Sequence, residues 1–212
     1  MNHQKQNTRE RILAVALDLF CVNGYTTVSV RDIGKAVGIK ESSIYYHFKD
    51  KEEILQTILQ QAEQYTLVMK SSFMHALSSV TKVERDKFIA AGISYIENFL
   101  IEETIYKLIR MLTIEKQRNE KAAEIYHQLL FTTPLEHHNN VFSYLAEKGY
   151  LKKDSNECLA AEYQAIILFI FQKYFSNPNT VMTAAKQDAR KELTELLNRF
   201  YQHYLCEEVS PE

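Results

Sequence analysis

An all-α fold is predicted for this chain of 212 residues by three observations. Apolar residues recur at spacings of three and four along most of its length. No stretch alternates with period two for long enough to make a convincing strand. The helical runs are separated by glycine, proline or polar clusters. With 46% hydrophobic and 25% charged residues, five Gly and three Pro, the composition is that of a folding protein. At this size there is room for one large core, or for a small and a larger domain.

The elements follow in order. Between Asn7 and Val22 the residues Ile12, Leu13, Ala16, Leu17, Leu19 and Phe20 keep helical spacing, and Gly24 stands where a left-handed C-terminal cap belongs. Ser29 with Asp32 has the spacing of a capping box and opens a second helix that ends by Gly38. A short third helix covers Glu41 to Phe48, with Ile44 and Phe48 turned inward. Asp50 with Glu53 repeats the capping pattern and opens a fourth helix that runs past Tyr65. Further helices are expected near 85–101, 102–117, 119–132, 135–148, 156–175 and 184–205. Their separators are the polar stretch at Thr104, Pro134, Gly149-Tyr150 and Ser176-Asn177-Pro178-Asn179.

Three cysteines, an odd number and widely spaced, with no signal stretch behind Met1, predict a reduced cytoplasmic protein. The longest apolar run, Ala165 to Phe171, is seven residues against roughly 20 for a bilayer span, so no membrane partner is expected. Charge is unevenly placed. Residues 1–50 hold seven Lys and Arg against five Asp and Glu, while the remainder is net acidic, as for a head that meets a polyanion.

The segment from Thr26 to Glu53 has the pattern of a helix-turn-helix, with the motif over 29–48. Its second helix is of a size that a DNA major groove admits. Gly38 can take a positive φ in the turn, and Gly34 lets the crossing helix approach. Sequence readout is assigned to Arg31, Lys40, Glu41, Ser42 and Ser43. Arg31 carries a donor fork that fits guanine O6 and N7, and the others open the reading helix. Phosphate contacts are assigned to Ser29, Tyr45, Tyr46, His47 and Lys51, through hydroxyl, ring N–H and ammonium donors.

At these residues the chain resembles the tetracycline-repressor (TetR) family of bacterial transcriptional regulators. The likeness runs from Thr8-Arg9 through Gly24-Tyr25, Ser29-Val30-Arg31-Asp32-Ile33, Ala36-Val37-Gly38-Ile39 and Ile44-Tyr45-Tyr46-His47-Phe48 to Lys51-Glu52-Glu53-Ile54-Leu55. Two positions depart from it. Gly34 stands where the family usually has Ala, at about 1 kcal/mol of helix propensity, and Lys40 takes a slot often held by a capping Ser or Thr.

The resemblance implies a DNA-binding domain over 6–66 and a helical effector-binding and dimerisation domain over 67–212. The implied partners are a double-stranded DNA operator, a small-molecule effector and a second copy of the chain. The implied action is repression relieved by a lipophilic or aromatic effector. Of the 24 Phe and Tyr, 18 lie beyond residue 66, and Tyr95, Phe99, Tyr106, Phe131, Phe142, Phe169 and Tyr174 are candidates to line an effector cavity. Ordinary core packing is the alternative for each. Leu193, Leu196, Phe200 and Tyr204, with Ala189, form an apolar stripe on the last helix and are the candidate dimer face; burial within the chain is the alternative.

Other signals carry less. Adjacent His137 and His138 point about 100° apart on a helix, awkward for shared metal binding, and are expected in a solvated loop. His203 and Cys206 with Glu207 are too few for a metal site at a tail. No phosphate loop, nucleophile elbow or Cys-x-x-Cys occurs, so no enzyme activity, metal or cofactor is expected. The competing functional class is a DNA-coating or partner-recruiting dimer with a filled body.

Overall fold

The computed structural model describes residues 2–77, 83–152, 158–177 and 180–206, with side chains from residue 7 onward except over 66–77. Pro178, Asn179, Glu207 and Glu208, which the sequence places in a break and at an acidic tail, lie outside the described residues. Helices make up most of the described chain. The single β-type pairing among the described residues is an isolated bridge between Leu151 and Leu205. No helix is long and apolar enough to cross a membrane among the described residues.

The contacts divide the chain into two compact units: 1–66 with 103–127, and 67–102 with 128–212. The break at 66/67 coincides with the sequence boundary. Residues 103–127, assigned to the body from sequence, instead pack with the head.

The first unit contains α1 (Asn2–Asn23), α2 (Val30–Val37), α3 (Glu41–Tyr45), the first half of α4 (Lys51–Leu77), α6 (Glu103–Glu115) and α7 (Glu120–His127). Ile12, Ala16 and Phe20 of α1, Ile33 and Val37 of α2, Ile44, Phe48, and Ile54, Leu55 and Ile58 of α4 form its buried interior. Gly24 adopts φ +77 and ends α1 with its N–H on the Phe20 carbonyl, 2.9 Å away. At α4 the expected capping box is displaced by one residue. Glu53 N–H donates to Asp50 Oδ1 at 2.8 Å, but the Glu53 carboxylate reaches back to Lys49 N–H at 2.6 Å rather than to Asp50.

Glu115, at the end of α6, is 2% exposed. Its Oε1 accepts the Tyr25 N–H at 2.9 Å, and its carboxylate also receives Arg118 at 3.1 and 3.2 Å. Tyr25 is held from two more sides. Its carbonyl accepts Lys51 Nζ at 2.8 Å, and its hydroxyl donates to Glu52 at 2.8 Å. Burial, then this bond, raises the Tyr25 phenol well above its ordinary value.

The second unit contains α5 (Arg85–Tyr95) with a π-helical turn over Ile96–Leu100, a second π-helical turn over Gln128–Thr132 leading into α8 (Thr133–Glu147), then α9 (Leu159–Phe175) and α10 (Met182–Tyr204). The break expected at Pro134 does not occur. Proline lacks an N–H and crowds the preceding turn, and here it sits in the first turn of α8, directly after the widened π turn. The interior is aromatic: Phe88 stacks on Phe200 at 5.9 Å, and Tyr163 meets Phe88, Phe142 and Phe200 edge-on within 5.9 Å. Tyr201 donates its hydroxyl to the Val83 carbonyl at 2.7 Å.

Gly92 makes room for that cluster, since a Cβ there would lie 2.4 Å from Leu197 Cδ1 and 3.0 Å from the Tyr163 hydroxyl. Gly92→Ala is expected to cost about 1–2 kcal/mol of stability by overpacking, despite its better helix propensity. Denaturant titration of the variant would show it; a stabilised Gly92→Ala would mean the core yields there.

His137 and His138 are not in a solvated loop. Both lie on α8, and His138 is 6% exposed. Its Nε2 is 3.0 Å from Gln164 Oε1, while the Gln164 amide NH2 donates to the Leu130 carbonyl at 2.7 Å. With the amide turned that way, the neutral ring must carry its proton on Nε2 and donate it. Burial pushes both imidazoles down to about 4, and for His138 the neighbouring His137 adds to the effect.

Candidate nucleic-acid interface

The helix-turn-helix is built by local chemistry. Ser29 caps α2: its Oγ accepts the Asp32 N–H at 3.1 Å, and Asp32 Oδ2 takes the Ser29 N–H at 2.9 Å and the Ser29 hydroxyl at 2.5 Å. These donors hold the Asp32 carboxyl below its usual range. Gly38 turns the chain at φ +80, where a side chain would be strained, and sends its N–H to the Gly34 carbonyl at 3.0 Å. A Cβ on Gly34 would lie 3.1 Å from the Ile39 carbonyl, a tight contact that a larger residue would relieve by moving the turn a few tenths of an ångström. Lys40 begins α3 with no side-chain cap, as its chemistry requires.

This frame leaves a polar face outward. Arg31, Lys40, Glu41 and Ser42 are exposed and Ser43 is half-buried. Tyr45 and Tyr46 are 51% and 68% exposed, large values for aromatic residues in a small domain. His47 is half-buried with its ring against Tyr46 at 5.2 Å. Three of the assigned phosphate donors already have partners inside the protein, Tyr45 by a long 3.4 Å bond from its hydroxyl to Glu41. The Ser29 hydroxyl is spent on the Asp32 cap. Lys51 Nζ donates to the carbonyls of Tyr25 and Val28 at 2.8 and 2.7 Å and lies 4.2 Å from the Tyr25 ring centre, leaving one N–H for an outside partner.

The head's basic residues sort the same way. Arg11 donates to the Val37 carbonyl at 3.0 Å, closing α2, and Arg9 lies over the Phe48 ring at 4.7 Å. Arg31, Lys35, Lys40 and Lys49 are the exposed cations without a side-chain hydrogen bond among the described residues. Lys35 and Lys49 were not singled out from sequence, because nothing local separates a free lysine from an engaged one. Lys51→Ala is expected to lower the stability of the free protein by about 2 kcal/mol, since two carbonyls lose a charged donor. Thermal melting without DNA checks this; an unchanged midpoint would return Lys51 to a phosphate-contact role alone.

The candidates beyond residue 66 do not converge on one cavity. Tyr95 stacks on Phe99 at 5.5 Å and meets His138 edge-on at 6.1 Å, while Phe142 packs in the aromatic interior. Tyr174 donates to Glu192 at 2.6 Å, Phe169 is 50% exposed, Phe131 is half-buried, and Tyr106 belongs to the first unit.

The proposed dimer stripe needs correction. Ala189, Leu193 and Phe200 are buried in the chain's own core, so they are not open to a second copy. Leu196 is half-buried, and Tyr204 donates to Glu162 of α9 at 2.5 Å. Helical periodicity marks a face as apolar without saying which neighbour covers it.

Residues 12–58 match the model of the family described as bacterial regulatory proteins, tetR family. The HTH-type transcriptional regulator AcrR of Shigella flexneri is 31% identical over 102 residues, 41% of this chain and 47% of that protein. The chain thus matches about half the length of that relative. The negative transcriptional regulator IcaR of the biofilm operon icaADBC in Staphylococcus epidermidis is 23% identical over 91% of this chain and 98% of its own. Among solved structures, a SmeT–triclosan complex superposes with a TM-score of 0.68 at 18% identity, covering 97% of this chain and 95% of that one, which extends the shared fold through the body. These relatives are regulators rather than enzymes. With the capped α2, the Gly38 turn and the exposed Tyr45-Tyr46 face in the same fifty residues, residues 12–58 carry the DNA-binding domain found in bacterial regulatory proteins of the tetR family.

Proposed function

We propose that this chain is a homodimeric, sequence-specific DNA-binding regulator, a repressor that leaves a palindromic operator when a small lipophilic or aromatic effector binds. The observation that carries the reading is the outward face of the helix-turn-helix. There Arg31, Lys40, Glu41, Ser42, Tyr45 and Tyr46 stand exposed on a frame closed by the Ser29–Asp32 cap and the Gly38 turn. Readout falls to Arg31, Lys40, Glu41, Ser42 and Ser43. Backbone contact falls to Tyr45, Tyr46 and His47, joined by the free cations Lys35 and Lys49. The domain limits 6–66 and 67–212 remain the functional division under this reading.

Repression is supported by the name of IcaR, a negative regulator, and an effector by the triclosan held by SmeT. The ring cluster of Tyr95, Phe99 and His138 is the proposed place for an apolar ligand. Dimerisation is proposed through the outer sides of α9 and α10, where Phe169 and Leu196 remain open. An effector that favours a head spacing unlike the roughly 34 Å groove repeat must weaken operator binding by the factor with which DNA weakens effector binding.

Selection against a random duplex library at two salt concentrations tests the reading. Enrichment of a palindrome bound by an even number of chains is expected; salt-sensitive binding with no enrichment would favour a DNA-coating role. On the selected site, Arg31→Ala is expected to lose about 1–3 kcal/mol of discrimination at particular bases, whereas Tyr45→Phe should weaken all sequences alike. Equal loss on every sequence for Arg31→Ala would remove it from the readout set.

A further inference from the structure

A groove of about 330 Å3 opens within the first unit, lined by α1, α4 and α6. This is the lower end of the size range of small-molecule sites, roughly 300–1,000 Å3. It is separate from the DNA-facing residues and from the aromatic cluster of the second unit, since none of its lining residues is shared with either. Its floor is apolar, formed by Leu13 and Leu17 of α1, Ile58 of α4 and Leu108 of α6. Ala14 leaves it open: it faces the groove and is exposed, at a position where a larger side chain would cover the floor.

The rim is net acidic. Lys107 Nζ lies 2.6 Å from both Asp18 and Glu103, so the single ammonium is already shared between two carboxylates. Eight residues earlier on α1, about 12 Å along its axis, Glu10 stands exposed with no ion pair among the described residues. Its carboxylate brings the rim to three acidic groups against one basic. On α4, Gln61 is exposed and Tyr65 is 40% exposed, offering an amide oxygen and a ring face. An anion entering here would meet surplus negative charge with no unshared ammonium. A cation would meet a free carboxylate and an aromatic face, both of which attract it.

We infer that this groove binds a small amphipathic organic cation, its apolar body on the Leu13, Leu17, Ile58 and Leu108 floor and its charged head between Glu10 and Tyr65. The site does not depend on the operator reading, and it is tested without DNA.

Octyltrimethylammonium, well below micelle formation, is titrated into the full chain by calorimetry, with octyl sulfate as the matched anion. Saturable binding of the cation and none of the anion is expected. Glu10→Gln is expected to weaken the cation by roughly fivefold, the size of one exposed ion pair at contact. Ala14→Phe, which fills the groove, should abolish binding. If Ala14→Phe loses its helical circular dichroism, Glu10→Gln decides alone. Cation binding that Glu10→Gln leaves unchanged, or equal uptake of the sulfate, overturns the inference.

Discussion

Phe200→Ala is expected to lower the unfolding free energy by about 4 kcal/mol, with the midpoint depending on protein concentration as it does in the unaltered protein. Phe200 is 5% exposed in the single chain. Its ring lies within 5.9 Å of those of Phe88, Phe142, Tyr163 and Tyr204. Truncation would remove the ring that four others pack on, and close-packed aromatics on three further helices have little freedom to collapse into the space. If Phe200 faced a second chain instead, the variant would dissociate while keeping its helical signal, and its midpoint would lose the concentration dependence that dimerisation gives the unaltered protein. Chemical denaturation at two protein concentrations, paired with sedimentation, separates the two. A well-folded monomeric variant would place the ring at an interface.

The second large effect is on pH. His138 is nearly inaccessible and held neutral, its imidazole pushed down to about 4 by burial from an ordinary value of 6.5. The unfolded chain therefore binds a proton that the folded chain refuses between these two values. Stability is at its full value above about pH 6.5 and falls as the pH drops toward 4. The loss from His138 alone is about 3 kcal/mol, from the 2.5-unit difference between the two values. The Nε2–H···Oε1 bond to Gln164 does not resist protonation, because the imidazolium donates from the same nitrogen; the lack of solvent does. Urea titrations at pH 7.5, 5.5 and 4.5 are expected to show this slope, and His138→Phe should reduce it to the part that His137, also pushed down to about 4, contributes. An equal slope in the variant would put the proton uptake elsewhere.

What could be read from the residues was whatever local rules decide. The Ser29–Asp32 box, the turn glycines 24 and 38, and the inward set Ile33, Val37 and Ile44 each depend on neighbours within a few positions. The short reading helix and its uncapped Lys40 follow from the same rules. Long-range pairing was not legible. Lys51 and Lys49 are two residues apart, yet one is tied to carbonyls 23 and 26 positions away and the other is free. Glu115 reads as one more helix-end carboxylate until Tyr25, 90 positions distant, is brought to it. The stripe on α10 and the His137-His138 pair misled for a related reason. Periodicity and residue type report that a side can be buried or wet, and only the assembled neighbours decide which.

The three-way hold on Tyr25 has a consequence for observation. Its amide, carbonyl and hydroxyl are bound to α6 through Glu115 and to α4 through Lys51 and Glu52, so the link between α1 and α2 is a fastened joint rather than a slack one. A loop amide normally exchanges its hydrogen quickly. This one points at a buried carboxylate, and it can exchange only when α6 lets go of the head. The Tyr25 amide is therefore a clock built into the chain: its exchange rate reports how often that joint opens, and a bound DNA or small molecule that tightens or loosens it would be visible at one backbone position.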